Sequence, residues 1–307
     1  MLSTLTAVSL ASAGKAKSIV FVSSTSAIDT EHYVHLSDLL AESQHTCQGV
    51  PENDDLEGAK EGLKTGYGQT KWVSEKLLLE AGRRGLRGHI VRPGYVVGHS
   101  RTAGMFFFFT MLSLIQIPVT NTDDFIWRLV KGCVQLGLVP DMNNTVNMVP
   151  VDQVALATTL AVISPLSNSA MSVLHITARP LPTFNLLFTS LRRYGFQTET
   201  CEYLVWRRKL EQHVMKSQDN ALYPLLHFVL DDLPTSTKSP NLDDANTVAL
   251  LKSEYNMSMG EETMGRYFAW LVRAGFLPSP KGERTEKTLP DLGLGDKIVK
   301  AAGRSGV

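Results

Sequence analysis

Tyr67 and Lys71 stand four residues apart in the run Gly66-Tyr67-Gly68-Gln69-Thr70-Lys71-Trp72. On a helix that spacing sets an ammonium one turn from a phenol. A phenol with a pKa of about 10 is a poor acid-base catalyst at neutral pH, and a nearby cation improves it by stabilising the phenolate. Of the eight tyrosines in the chain, only Tyr67 has a lysine four residues on. Thr25 ends the triplet Ser23-Ser24-Thr25, which directly follows an apolar run. A hydroxyl at the carboxyl end of a strand can donate to a carbonyl oxygen that gains negative charge during hydride attack, and the tyrosine can then deliver a proton. Taken singly, these motifs have plainer readings: Ser-Ser-Thr is common turn chemistry, and Tyr-x-x-x-Lys arises by chance. Their fixed order, with Arg92-Pro93-Gly94 further on, is far more specific.

The elements around these residues make an α/β alternation. Residues 18–23 form a compact β-branched run, the pattern of a strand buried on both faces of a parallel sheet. Residues 24–66 are polar and read as a long connection with one short helix around 35–42, functional or mobile as long loops usually are. From 67 to 84, Trp72, Val73, Leu77, Leu78 and Leu79 alternate with charged residues as in an amphipathic helix, which Gly82 and Gly85 close. A second strand covers 88–91. Further helices are expected at about 125–135, 151–163, 181–194 and 262–274, and strands at about 147–149 and 173–176. The first 14 residues read as a short helix rather than a secretory signal, because no positive charge precedes their apolar stretch.

The bulk numbers narrow the classes. With 307 residues, 43% hydrophobic and 20% charged, the chain can bury a substantial core. Thirty basic residues balance thirty acidic ones, so no long-range field points to nucleic acid or to a membrane surface as partner. Cys47, Cys133 and Cys201 lie far apart with no CxxC spacing, which disfavours a disulfide framework and a structural zinc site. A cytoplasmic location is the simplest expectation.

At this point the chain resembles the extended short-chain dehydrogenase/reductase family. The resemblance implies that Thr25, Tyr67 and Lys71 are catalytic, and that Ser23, Tyr67, Lys71, Pro93, Gly94 and Val96 bind the cofactor. Longer stretches resemble, more narrowly, the thioester reductase region of fungal alpha-aminoadipate reductases. They include 21–27 (FVSSTSA), 66–72 (GYGQTKW), 92–98 (RPGYVVG), 121–125 (NTDDF), 147–152 (NMVPVD) and 227–234 (HFVLDDLP). This implies a partial Rossmann-like parallel sheet with a mainly helical C-terminal substrate region. The implied reaction is NADPH-dependent reduction of an aminoadipoyl thioester on a phosphopantetheinyl carrier domain to the semialdehyde, in lysine biosynthesis, with carrier and adenylation domains in the same polypeptide. Reductase domains of peptide synthetases and carboxylic acid reductases share the catalytic motif. A sugar-nucleotide epimerase or dehydratase of the same superfamily, and a non-catalytic remnant, are the competing readings. Arg101, Arg128 and Arg207 could read a distal carboxylate, although surface or structural arginines are commoner. Residues 1–180 are assigned to the nucleotide-binding half, 181–277 to the substrate region and 278–307 to a flexible tail.

Two features depart from the pattern. An apolar block at 105–119 (MFFFFTMLSLIQIPV) is short for a membrane span and reads as a buried helix, as a flap over the substrate, or as translated intron sequence. No Gly-x-Gly-x-x-Gly occurs anywhere, although the family places one early to cradle the pyrophosphate. The chain is therefore expected to lack the first half of the nucleotide-binding sheet and to expose an apolar strand edge. It should bind NADPH weakly or not at all and tend to aggregate, and tight binding of NADPH to the purified 307-residue chain in a calorimeter would contradict this expectation.

Overall fold

A computed structural model describes residues 2–15, 17–42, 49–101, 119–164, 171–216, 219–231, 233, 238–281, 286–295 and 300–302. The apolar block, apart from Val119, lies outside the described residues, as does Cys47. In chain order the elements are α1 (Leu2–Ser12), β1 (Ser18–Val22), α2 (Glu31–Glu42), α3 (Gly66–Arg83), β2 (Arg87–Pro93), β3 (Tyr95–Val97), β4 (Val119–Asn121), α4 (Phe125–Leu136), β5 (Leu138–Pro140), β6 (Met148–Pro150), α5 (Val151–Ile163), β7 (Met171–Ile176), α6 (Phe184–Arg193), β8 (Glu199–Cys201), α7 (Tyr203–Lys216), α8 (Leu226–Asp231), α9 (Ala245–Leu251), α10 (Glu261–Arg273) and β9 (Lys300–Ala302). They fall into two compact units, each discontinuous in sequence: 1–96, 147–181 and 239–258 form the first, and 97–146, 182–238 and 259–307 the second.

The first unit is built on the parallel sheet β1-β2-β7. Its strands sort their side chains with period two. Ile19, Phe21, Ile90 and Val173 face a cluster completed by Val8 and Ala11 of α1 and Leu78 and Leu79 of α3. Val20, Val91, Leu174 and Ile176 face the opposite cluster, with Val154, Ala157 and Ala161 of α5 and Leu251 of α9. β1 differs from the sequence expectation of burial on both faces: Ser18 and Val22 are exposed and the middle of the strand is half-buried, whereas β2 is buried from Gly88 to Pro93. The reason is its place in the sheet, where among the described residues β1 pairs with β2 alone.

The long connection is a folded layer with its own core. Ile28, Tyr33, Val50, Leu56 and Ala59 pack with Leu242 and with Trp72 of α3. Trp72 Nε1 donates to the Leu56 carbonyl at 2.8 Å, and Tyr33 Oη to Asp54 Oδ1 at 2.5 Å. The same layer finishes the outer edge of β7. Glu52 accepts the His175 N–H at 2.8 Å, Thr247 Oγ1 donates to the His175 carbonyl at 2.8 Å, and Asn246 Nδ2 to the Val173 carbonyl at 3.1 Å. Side chains thus take the place of a neighbouring strand.

The second unit is mainly helical. Asp124 caps α4 by accepting the Ile126 N–H at 2.9 Å, and Gly137 ends that helix at φ 71°. Aromatic rings bind α4 to α10 and α6 to α10: Trp127 meets Tyr267 edge-on at 5.6 Å and Tyr194 meets Phe268 at 6.2 Å. The short pair β5-β8 is parallel. In the C-terminal segment, Glu286 pairs with Arg193 and Lys287 with Glu261. No helix among the described residues is long and apolar enough to cross a membrane.

Burial pushes the Glu52 carboxyl up to about 7, with Asp243 and Asp244 adding to the rise and the His175 and Asn246 N–H groups opposing it. A carboxyl whose folded pKa exceeds its unfolded value holds its proton more tightly when folded, so its stabilising contribution is full below the unfolded value and disappears as pH rises through the folded one. Glu52→Gln should cost stability, since the amide nitrogen cannot accept one of the two backbone N–H bonds that Glu52 receives from His175 and Asn246. It should also flatten the wild-type loss of stability between roughly pH 4.5 and 7.5 by ~1–3 kcal/mol, measured by urea unfolding across that range.

Candidate active site

Thr25 opens a 3-10 turn over Thr25–Ile28, directly after β1, and Ser24 caps that turn by accepting the Ser26 N–H at 3.2 Å. The turn lies against the start of α3. Thr65 caps this helix by accepting the Gly68 N–H at 3.0 Å. Gly68 is where the two meet: a Cβ there would stand 2.6 Å from the Ser26 carbonyl oxygen, so only glycine allows the approach. The first turn of α3 thereby carries Tyr67 beside the segment that holds Thr25. Tyr67 is 57% exposed, at the carboxyl end of β1, where open parallel sheets bind ligands.

Lys71 is the link between helix and strand. Its Nζ donates to the Val22 carbonyl at 2.8 Å and lies 5.0 Å from the Phe21 ring centre and 5.6 Å from that of Tyr67. Burial draws the Lys71 ammonium below the ordinary lysine range, and the Glu75 carboxylate opposes that shift.

Glu75 and Arg92 are both fully buried and make a two-point ion pair, with Nε to Oε1 at 3.2 Å and the second contact at 2.5 Å. Ser23 Oγ also donates to Glu75 Oε1. The Ser23 hydroxyl is therefore engaged inside the protein. Arg92 reaches His175 Nε2 at 2.6 Å, and His175 Nδ1 lies 2.7 Å from the Asp243 carbonyl. That pattern assigns the ring proton to Nδ1 and leaves Nε2 as acceptor. Burial first, then the Arg92 charge, hold the His175 pKa well below its usual value.

Pro93 and Gly94 close β2. The Gly94 N–H donates to the Ile176 carbonyl at 3.1 Å and the Tyr95 N–H to that of Asn147 at 2.7 Å. A Cβ on Gly94 would stand 2.3 Å from the Asn147 carbonyl oxygen. Asn147 Oδ1 accepts from Thr177 Oγ1 and the Ala178 N–H, which leaves its buried Nδ2 without a partner. Val22, Tyr95 and Val96 expose apolar surface at these strand ends. Tyr67, Lys71, Thr25 and the Pro93-Gly94 turn thus share one end of the sheet.

The three arginines considered as carboxylate readers lie in the second unit. Arg128 pairs with Asp123 and donates to the Ala221 carbonyl, and Arg207 pairs with Glu211 one turn along its own helix. Arg101 is exposed. No cluster of metal-ligating side chains occurs among the described residues. Sequence reasoning missed Glu75, His175 and the tight approach at Gly68. One signal for Glu75 was present: it continues the four-residue spacing of Tyr67 and Lys71.

The chain matches the family of NAD-binding domains described as "Male sterility protein" over residues 1–158. It is 45% identical to the L-2-aminoadipate reductase of Schizosaccharomyces pombe, with all of this chain and 21% of that protein covered. It is 43% identical to the L-2-aminoadipate reductase of Saccharomyces cerevisiae, with 91% of this chain and 20% of that protein covered. The chain therefore spans about a fifth of the length of these relatives. Among solved structures, the terminal R domain from the myxalamid PKS-NRPS biosynthetic pathway superposes with a TM-score of 0.70 at 28% identity, over 91% of this chain and 64% of that one. The reductase (R) domain of a nonribosomal peptide synthetase from Mycobacterium tuberculosis shares the fold, with a TM-score of 0.63 at 16% identity over 89% of this chain and 64% of that one.

Gly68→Ala should push the first turn of α3 off the Ser26 carbonyl and destabilise the protein by ~1–3 kcal/mol. Urea unfolding checks this, and Gly66→Ala, whose Cβ would meet nothing within 4 Å, is the control for a general glycine effect.

Proposed function

Because the chain belongs to the NAD-binding family described as "Male sterility protein", as a homologue of the reductase region of fungal L-2-aminoadipate reductases, we propose that it performs the reductive step on a carrier-bound acyl thioester. The substrate is an aminoadipoyl group on the phosphopantetheine arm of a carrier domain, and the product is the semialdehyde of lysine biosynthesis. Carrier and adenylation domains belong to the same polypeptide. The observation that carries this reading is the Lys71 ammonium fixed to the Val22 carbonyl with the Tyr67 ring beside it.

NADPH, when bound, supplies the hydride to the thioester carbon. Thr25 and Tyr67 donate hydrogen bonds to the thioester oxygen as it gains charge, and Tyr67 gives it a proton. The resulting hemithioacetal loses the thiol and becomes the aldehyde. Lys71 supports the developing phenolate and would hold the nicotinamide ribose when the cofactor is bound. The strand ends suit the nicotinamide end of the cofactor, where Val22 and Val96 offer exposed apolar surface. With no Gly-x-Gly-x-x-Gly in the sequence, no residue of this chain is assigned to the pyrophosphate.

The test is NADPH oxidation with an aminoadipoyl thioester on a phosphopantetheinyl carrier protein, at high NADPH. Tyr67→Phe should lower kcat by ~10²–10⁴-fold and leave NADPH affinity within about twofold. Equal turnover by wild type and Tyr67→Phe would rule the mechanism out.

A further inference from the structure

We propose that Glu75 is a positioning residue for the Tyr67 and Lys71 pair, holding α3 in its rotation on the sheet and keeping a negative charge behind the Lys71 ammonium. The proposal rests on the reductase reading above and adds a residue to the same site.

Tyr67, Lys71 and Glu75 follow one another at intervals of four, so they share one stripe of α3. The two ends of the stripe are fixed differently. At Gly68 the helix start is pressed against the Ser26 carbonyl, and at Glu75 a carboxylate enters the protein to meet Arg92 and Ser23. Arg92 belongs to β2 and Ser23 follows β1, so one carboxylate ties α3 to both strands that form the site. With the helix fixed at both ends of this stripe, Lys71 reaches the Val22 carbonyl.

The second effect is electrostatic. The titratable and charged groups around Lys71 are Tyr67 and Glu75 on α3 and, behind Glu75, Arg92 on β2; from β1 it meets the Phe21 ring and the Val22 carbonyl. Burial disfavours the Lys71 charge, and Glu75 opposes that loss. A full ion pair could be replaced by an apolar pair without loss of stability. Such a replacement would still take from Lys71 the negative charge that opposes its loss of a proton.

Two variants separate positioning from mere support. Glu75→Gln leaves the Arg92 charge buried and uncompensated. The double variant Glu75→Gln with Arg92→Gln removes both charges, so it should regain most of the lost Tm. In both, kcat with the carrier thioester should stay down by ~10²-fold while KM changes less than about twofold. In both, Lys71 should also lose its charge at a lower pH than in wild type, read as the pH dependence of acetylation of the Lys71 peptide by mass spectrometry. Recovery of turnover in the double variant, or an unchanged Lys71 profile in either, would overturn the proposal. If the wild type turns over no thioester, the reaction reading fails, while the Lys71 profile of the double variant still decides the role of Glu75.

Discussion

Helix α3 lies where it does because a carboxylate and a guanidinium, Glu75 and Arg92, are buried together against the sheet. Removing two charges from water costs several kcal/mol per ion, recovered only by good geometry and further hydrogen bonds. Both conditions hold. The pair meets at two points, Ser23 supplies another donor to the carboxylate, and His175 accepts from the guanidinium. Breaking any one member leaves a buried group unsatisfied, so the helix has one favoured seat. Tyr67 and Lys71 take their places from that seat.

A site built this way uses little of the side chains' own freedom. Lys71 spends its flexible stem on a main-chain carbonyl, and Thr25 sits in a turn capped by its own neighbour. The exposed groups are the ones proposed to meet a ligand, above all Tyr67. The buried ones, Glu75, Arg92 and His175, do the holding. This division between wet and dry residues is what preorganisation requires.

Much of this was legible in the residues. Helix α5 spans Val151–Ile163 as its apolar pattern indicates, and α3 begins one residue before the expected Tyr67 because Thr65 caps it. The strands β1, β2 and β7 follow their β-branched runs. What escaped has physical reasons. Glu75 in a helix of alternating Lys and Glu reads as part of a solvated face, because its burial depends on an arginine 17 residues away on another element. The connection at 24–66 reads as a polar loop because its core is assembled from scattered residues such as Tyr33, Leu56 and the distant Leu242. Helix α7 buries only Trp206, Leu210 and Val214, a stripe too narrow to stand out among its charged neighbours.

The finished margin of β7 has a consequence for how the sheet can grow. Glu52, Asn246 and Thr247 already occupy main-chain groups that a lateral strand would need, and they come from segments nearly 200 residues apart. An incoming chain would have to displace all three to add there. The sheet is thus polar in the sense of a one-way street: among the described residues only the flank of β1 is left uncovered, so any extension, whether by a folded companion or by an unwanted fibril, is steered there, beside Tyr67 and Lys71.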